Sequence, residues 1–280
     1  MIKLFHVSDI HFGVTDPDAH AWFVRCVAEE RPDAIALTGD ITQRSTHAEY
    51  AAATRWIGGL AAPVKVEIGN HDMPYYHPLE RAFAPYRRYR KLKAAVERPI
   101  DLPGVALVSL RTTSRAQWRF NWSRGIVRPA ALAETLATIA ALPKDGRMIL
   151  VTAHHPLVES NTKGQALTRH GEKALCALAQ AGVTAILTGH VHDAFDLMHP
   201  TRFGPIRMIG AGTLSQRVRS TPPSFNELTI DAGKITVCAR NIGELDTAAM
   251  QIEDVPPDAQ PPGPDDPIAR SQPVETEGLG

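Results

Sequence analysis

The 280 residues are 44% apolar, and their 30 basic and 30 acidic side chains cancel to a formal charge of zero. Such a length suits one large or two modest domains, and the balanced charge excludes any global electrostatic pull toward nucleic acid or membrane. No apolar stretch approaches membrane-spanning length, and the opening MIKLFHVSDIHFG lacks the apolar core and cleavage site of a secretory leader. Cys26, Cys176 and Cys238 stand far apart without a CxxC pair, which fits reduced thiols in a cytoplasmic protein.

Short apolar runs alternating with helix-like segments predict an α/β protein. In chain order, a strand over 2–8 leads to a helix near 18–31, and a strand over 33–38 to a helix near 46–60. Thr46 and Glu49 are spaced as a capping box for that second helix. A strand over 64–68 follows, and then a segment from Met73 to Arg98 made basic by Arg87, Arg88, Arg90, Lys91 and Lys93. The basic stretch 81–98 reads either as the solvated face of a helix or as a cap that attracts an anionic substrate.

Beyond a strand over 105–110, the stretch Arg115–Arg124 interleaves Trp118, Phe120 and Trp122 with arginines. That pattern can stack a base and hold a phosphate, with Trp118 and Trp122 as candidate substrate contacts. It equally describes a half-buried strand. Next come a helix near 129–141, a strand over 147–153, a helix near 171–181 closed by Gly182, and a strand over 184–188. After about 205 the strands come without helices, over 205–210, 225–231 and 234–240, the last two joined by Ala232-Gly233, a hairpin signal. Residues 244–280 are acidic and rich in proline, a composition that cannot bury enough surface to offset its ordering entropy. The expected division is a catalytic domain over 1–243 and a disordered tail over 244–280.

Five polar clusters stand at the C-terminal ends of predicted strands: Asp9-Ile10-His11, Gly39-Asp40, Gly69-Asn70-His71-Asp72, His154-His155 and Gly189-His190-Val191-His192. In an α/β sheet that edge faces the ligand crevice. Glycine before three of the clusters allows a close backbone approach. Any one cluster is ordinary turn chemistry; all five in order, each after an apolar strand, are not. Asp9, His11, Asp40, Asn70, His154, His190 and His192 offer oxygen and imidazole donors without thiolate. Such a set suits two divalent ions such as Mn, Fe or Zn that share a bridging carboxylate.

The series DxH, GD, GNHD, H and GHxH resembles the signature of the calcineurin-like metallophosphoesterase superfamily, and it spans Asp9 to His192. The resemblance implies a four-layer α/β/β/α sandwich and a phosphoric ester hydrolase acting through water made acidic by two metals. It implies Asp9, His11 and His192 on one metal, Asn70, His154 and His190 on the other, and Asp40 between them. His154 is preferred to His155 because the family's ligand stands two residues before the proline. His71 is implied to protonate the leaving group, oriented by Asp72, while Asn70 helps stabilise the phosphoryl charge. The segments AHHPL and GTLSQRVRSTPPSFNELTID resemble the bacterial branch that cuts cyclic nucleotides and glycerophosphodiesters. A small phosphodiester such as a 3',5'-cyclic nucleotide is therefore the expected substrate. Two alternatives remain open. A nuclease or DNA-repair member is disfavoured by the neutral charge, and a non-catalytic scaffold would be expected to lack ligands, of which none is missing.

Overall fold

The computed structural model describes residues 1–74, 76–114, 123–160, 162, 168–244 and 253–254. Its first sheet is built around β1 (Ile2–Val7), β2 (Ala34–Leu37) and β3 (Val64–Val66), which run parallel. The helices α1 (Pro17–Glu30) and α2 (His47–Gly58) connect them. Pro17 is placed at the start of α1, where its missing N–H costs nothing, and Asp16 caps the helix by accepting from Asp18 N and Ala19 N, both at 3.0 Å. The capping box of Thr46 and Glu49 forms as the spacing predicts.

The segment after β3 makes two helices, α3 (Pro78–Phe83) and α4 (Arg87–Val96). Then follow β4 (Val105–Ser109), α5 (Pro129–Ala140), β5 (Met148–Thr152), α6 (Gly171–Gln180), β6 (Ala185–Thr188), β7 (Phe195–His199) and β8 (Ile206–Gly210). The hairpin of β9 (Ser224–Asp231) and β10 (Lys234–Asn241) returns to the first sheet, where β9 lies antiparallel to β1. The two sheets have the orders β10-β9-β1-β2-β3 and β11-β7-β8-β6-β5-β4, the edge strand β11 being Glu253–Asp254. These two residues, in the stretch expected to lack structure, pair in parallel with Leu197 and Met198 of β7.

Side chains alternate between faces along a strand, and that alternation sets the layers. From β1, Ile2 and Leu4 join Ala34, Leu150, Leu187 and Leu228 in a core between the sheets. Phe5 and Val7 point the other way, into a core shared with Phe23 of α1, Ile57 of α2 and Leu92 of α4. On the far side Val151 and Ile186 pack with Ile139 of α5 and Leu175 of α6. The architecture is thus the four-layer α/β/β/α sandwich. Phe5, Phe23 and Phe225 cluster at ring-centroid distances of 4.8–6.2 Å, each pair contributing about 0.5–1.5 kcal/mol beyond its buried area.

One strand escapes the sequence patterns. Strand β7 carries Asp196 as its second residue, and a buried carboxylate reads as a break. It is tolerated because Arg207 of β8 grips it with Nε and Nη2 at 2.7 and 2.6 Å, a pairing that offsets desolvation. The basic segment 81–98 contributes α4 to the outer helical layer through Tyr89, Leu92 and Val96. Arg88 is buried there, bonded to Glu80 and to the Ser45 carbonyl. The helical reading of this segment holds for α4, which packs beside α2 and the sheet.

Candidate metal centre

Every polar cluster read from the sequence follows a strand, and the structure divides them between the sheets. Asp9, Asp40 and Asn70 follow β1, β2 and β3 of the first sheet; His154 and His190 follow β5 and β6 of the second. The centre lies on the seam where the two strand edges meet. The backbone there is strained: Asp9, His11, Asp40, His190 and His192 have φ of 55°, 42°, 49°, 71° and 63°. Left-handed conformations cost a residue with a side chain about 1–3 kcal/mol and cluster at functional sites. Here they turn five candidate donors toward one point.

The donors form two overlapping groups. Asp9 Oδ1 lies 3.1 Å from His192 Nε2 and 3.6 Å from His11 Nε2, and the two imidazole nitrogens are 3.4 Å apart. On the other side His154 Nε2 lies 3.2 Å from Asn70 Oδ1, and the His190 ring stands edge-on to His154 with centroids 5.2 Å apart. Asp40 Oδ2 falls between them, 3.8 Å from His11 Nε2 and 3.4 Å from His154 Nε2. Its other oxygen accepts from His71 N at 2.8 Å, so a single oxygen is left for both groups. Asp9 Oδ2 is similarly used, accepting from His190 N at 2.8 Å.

Backbone carbonyls set the imidazole tautomers. His154 Nδ1 donates to Thr38 O at 2.8 Å and His192 Nδ1 to Arg217 O at 2.6 Å, which leaves each Nε2 lone pair directed inward. His155 is differently engaged: Nε2 donates to Ser123 O at 2.9 Å and Nδ1 accepts from Thr112 Oγ1 at 2.8 Å. Both of its nitrogens are satisfied, whereas His154 keeps one for the centre.

The charges need a cation. Burial opposes ionisation of Asp9, yet His192 and His11 hold its carboxyl well below the usual range. Asp40 is likewise held far down against burial by His154, His71 and His11. Burial disfavours a charged His154, but facing Asp40 pushes it up to about 9, while burial and His154 drive His190 down to about 3. The imidazoles of His154 and His192 face the two carboxylates, whose charge divalent ions would offset on binding. The residues present fit such ions. Asp9 Oδ1 is buried without a hydrogen-bond partner, and the acceptors Asn70 Oδ1 and His154 Nε2 face each other as only a proton or a metal between them allows.

The expectation that Asp72 orients His71 is corrected. The Asp72 carboxylate accepts from the backbone amides of Gly69, Ile41 and Thr42 at 2.9, 3.2 and 2.8 Å. It stitches the Asp40 loop to the Asn70 loop, and burial together with Asp40 pushes it up to about 7. His71 is fixed instead by Gln43, whose carbonyl lies 2.8 Å from its Nδ1. Gln43 and Arg217 are the residues sequence reasoning missed; Arg217 Nη1 lies 3.0 Å from His71 Nε2. Neither belongs to one of the five clusters or follows a strand directly; Gln43 stands three residues after Asp40, and Arg217 lies within the GTLSQRVRSTPPSFNELTID segment that carries the branch resemblance. Trp118 and Trp122 lie outside the described residues.

A family model of the calcineurin-like phosphoesterases matches residues 2–194. The chain belongs to that family, whose members depend on a dinuclear metal centre, and it is a metal-dependent phosphoester hydrolase. Among its relatives, a 3',5'-cyclic adenosine monophosphate phosphodiesterase of Pseudomonas aeruginosa is 26% identical over 274 residues, 91% of each chain. A probable cyclic nucleotide phosphodiesterase of Pseudoalteromonas sp. is 25% identical over 206 residues, 69% of this chain and 72% of the relative. A dimetal phosphatase from Danio rerio shares the fold, with a TM-score of 0.65 at 12% identity over 86% of this chain and 96% of that one. No helix among the described residues is long and apolar enough to cross a membrane.

The glycines before the ligands give a direct check. A Cβ on Gly69 would stand 2.1 Å from Asp40 Oδ1, and one on Gly189 would stand 2.5 Å from Asp9 Oδ2. Gly69→Ala must therefore push Asp40 off its position. Metal analysis of that variant is expected to show fewer ions per chain than wild type, in a protein that still folds by circular dichroism. Full metal content with unchanged affinity would show that the loop yields freely.

Proposed function

We propose that the enzyme hydrolyses a small phosphodiester, with a 3',5'-cyclic nucleotide as the leading substrate. Asp9, His11, Asp40, Asn70, His154, His190 and His192 would hold two ions drawn from Mn, Fe and Zn. The observation that carries the substrate reading is the likeness to the Pseudomonas aeruginosa phosphodiesterase along 91% of both chains. When bound, such an ion pair lowers the pKa of a bound water and offsets charge on phosphoryl oxygens.

The chain's own residues supply the rest. Asn70 directs Oδ1 toward His154 and keeps Nδ2 buried without a partner, a donor available to a phosphoryl oxygen. His71 Nδ1 is tied to the Gln43 carbonyl, so the ring presents Nε2 to the site. A proton carried on Nε2 would pass to the departing alkoxide, whose basicity otherwise makes it a poor leaving group. The scattered cysteines Cys26, Cys176 and Cys238, without a CxxC pair, support a reducing compartment, and we place the enzyme in the cytoplasm.

The reading is tested on manganese-loaded protein with a bis-nitrophenyl diester, a nitrophenyl monoester, cyclic nucleotides and a glycerophosphodiester. Diester turnover above monoester turnover is expected, with cyclic nucleotide opened to the nucleoside monophosphate. Preference for the monoester would contradict the diester reading, and cleavage of the glycerophosphodiester alone would replace the substrate.

His71→Ala should retain metal and lose about 10²–10⁴-fold in rate on an alkoxide leaving group. The loss should shrink for nitrophenolate, which departs without a proton. Equal losses on both would remove the proton-donor role.

We also propose that residues 1–243 carry all of the chemistry. A chain ending at Gly243 gives up the pairing of Glu253–Asp254 with β7, a two-residue edge far in sequence from every candidate ligand. Its turnover on the bis-nitrophenyl diester should equal that of the full chain. Lost turnover with metals in place would move the domain boundary.

A further inference from the structure

Arg217 stands in the coil after β8, and its main chain and side chain serve different parts of the centre. Its carbonyl accepts from His192 Nδ1 at 2.6 Å. The guanidinium reaches the opposite side, with Nη1 3.0 Å from His71 Nε2, 3.4 Å from His11 Nε2 and 3.4 Å from Gln43 Oε1. None of the three contacts is with a carboxylate. The nearby carboxylates lie against imidazoles instead, Asp9 beside His11 and His192, Asp40 beside His11 and His154. Among the described residues no carboxylate forms an ion pair with Arg217.

A guanidinium keeps its charge at any working pH and presents a planar fork of donors. Placed beside a cluster built to collect cations, it adds like charge that only an anion can offset. With His71 Nε2 next to the departing alkoxide, this position would lie beside the non-bridging oxygens of the phosphorus from which that alkoxide leaves. Such oxygens match the fork in geometry and charge. Resting on the phosphodiester reading above, we propose that Arg217 is the phosphate-binding residue of the site, donating to the non-bridging oxygens of the substrate. Its contacts with His71, His11 and Gln43 are then the resting position, exchanged for the anion when substrate arrives.

The division of labour within one residue makes the proposal testable, because Arg217→Gln removes the guanidinium and leaves the carbonyl that holds His192. The full chain, loaded with manganese, is compared as wild type, Arg217→Gln and Arg217→Lys. Metal content is measured directly, and inorganic phosphate is titrated by calorimetry. Arg217→Gln is expected to keep its manganese while its phosphate Kd weakens roughly 10- to 100-fold, as loss of a charge-assisted hydrogen bond dictates. KM for the bis-nitrophenyl diester should rise with it, and Arg217→Lys should recover part of the loss by restoring charge without the fork. Unchanged phosphate affinity in Arg217→Gln overturns the proposal. So does loss of manganese with normal phosphate binding by the remaining loaded protein, since the side chain would then serve the metal site. Wild type that hydrolyses no diester would fail the functional reading, and the phosphate titration would still decide Arg217.

Discussion

Two carboxylates buried against each other govern this structure. Asp9 and Asp40 are 0% and 1% exposed, and each places an oxygen within 4.8 Å of the other and of a His154 nitrogen. Like charges so close in a low-dielectric interior repel strongly, and neither can be left uncompensated. The surroundings answer that demand. Carbonyls of Thr38 and Arg217 fix the His154 and His192 tautomers so that lone pairs point inward. The strained turns at Asp9, Asp40, His190 and His192 pay for themselves by bringing the donors to one cation-binding volume.

The fold explains why these residues can meet at all. Each sheet ends its parallel strands at the same seam, and the inter-sheet core of Leu4, Ala36, Leu150 and Leu187 keeps the two edges in register. Glu67, buried just after β3, accepts from Ser109 Oγ and Thr152 Oγ1 across the seam, both at 2.6 Å. It ties the strand before Asn70 to the strand before His154. A polar bond of this kind in a low-dielectric interior resists sliding of one sheet over the other. The precision required of a two-ion site is thus set partly by polar pins beneath it.

Much of this was legible in the residues alone. The strands before the ligands are apolar runs, and polar residues that follow such runs have no packing reason to be there. Asp9 through His192 therefore stood out, and the structure brings all seven candidates together. The tertiary terms were not legible. Asp196 hides β7 because its partner Arg207 is known only once the strands pair. Asp72, adjacent in sequence to His71, spends its carboxylate on the amides of Gly69, Ile41 and Thr42, a choice made by loop geometry. Arg217 enters from the coil after β8, within a segment whose resemblance pointed to a family branch without marking this arginine.

The central claim is that one cluster, shared across Asp40, holds two ions at once. The most direct measurement is manganese content per chain together with electron paramagnetic resonance of the loaded protein. Two ions per chain with the spectrum of a coupled pair are predicted, as expected for a separation of roughly 3.5–4 Å. A single ion at saturation, or two ions with uncoupled spectra, would contradict the account.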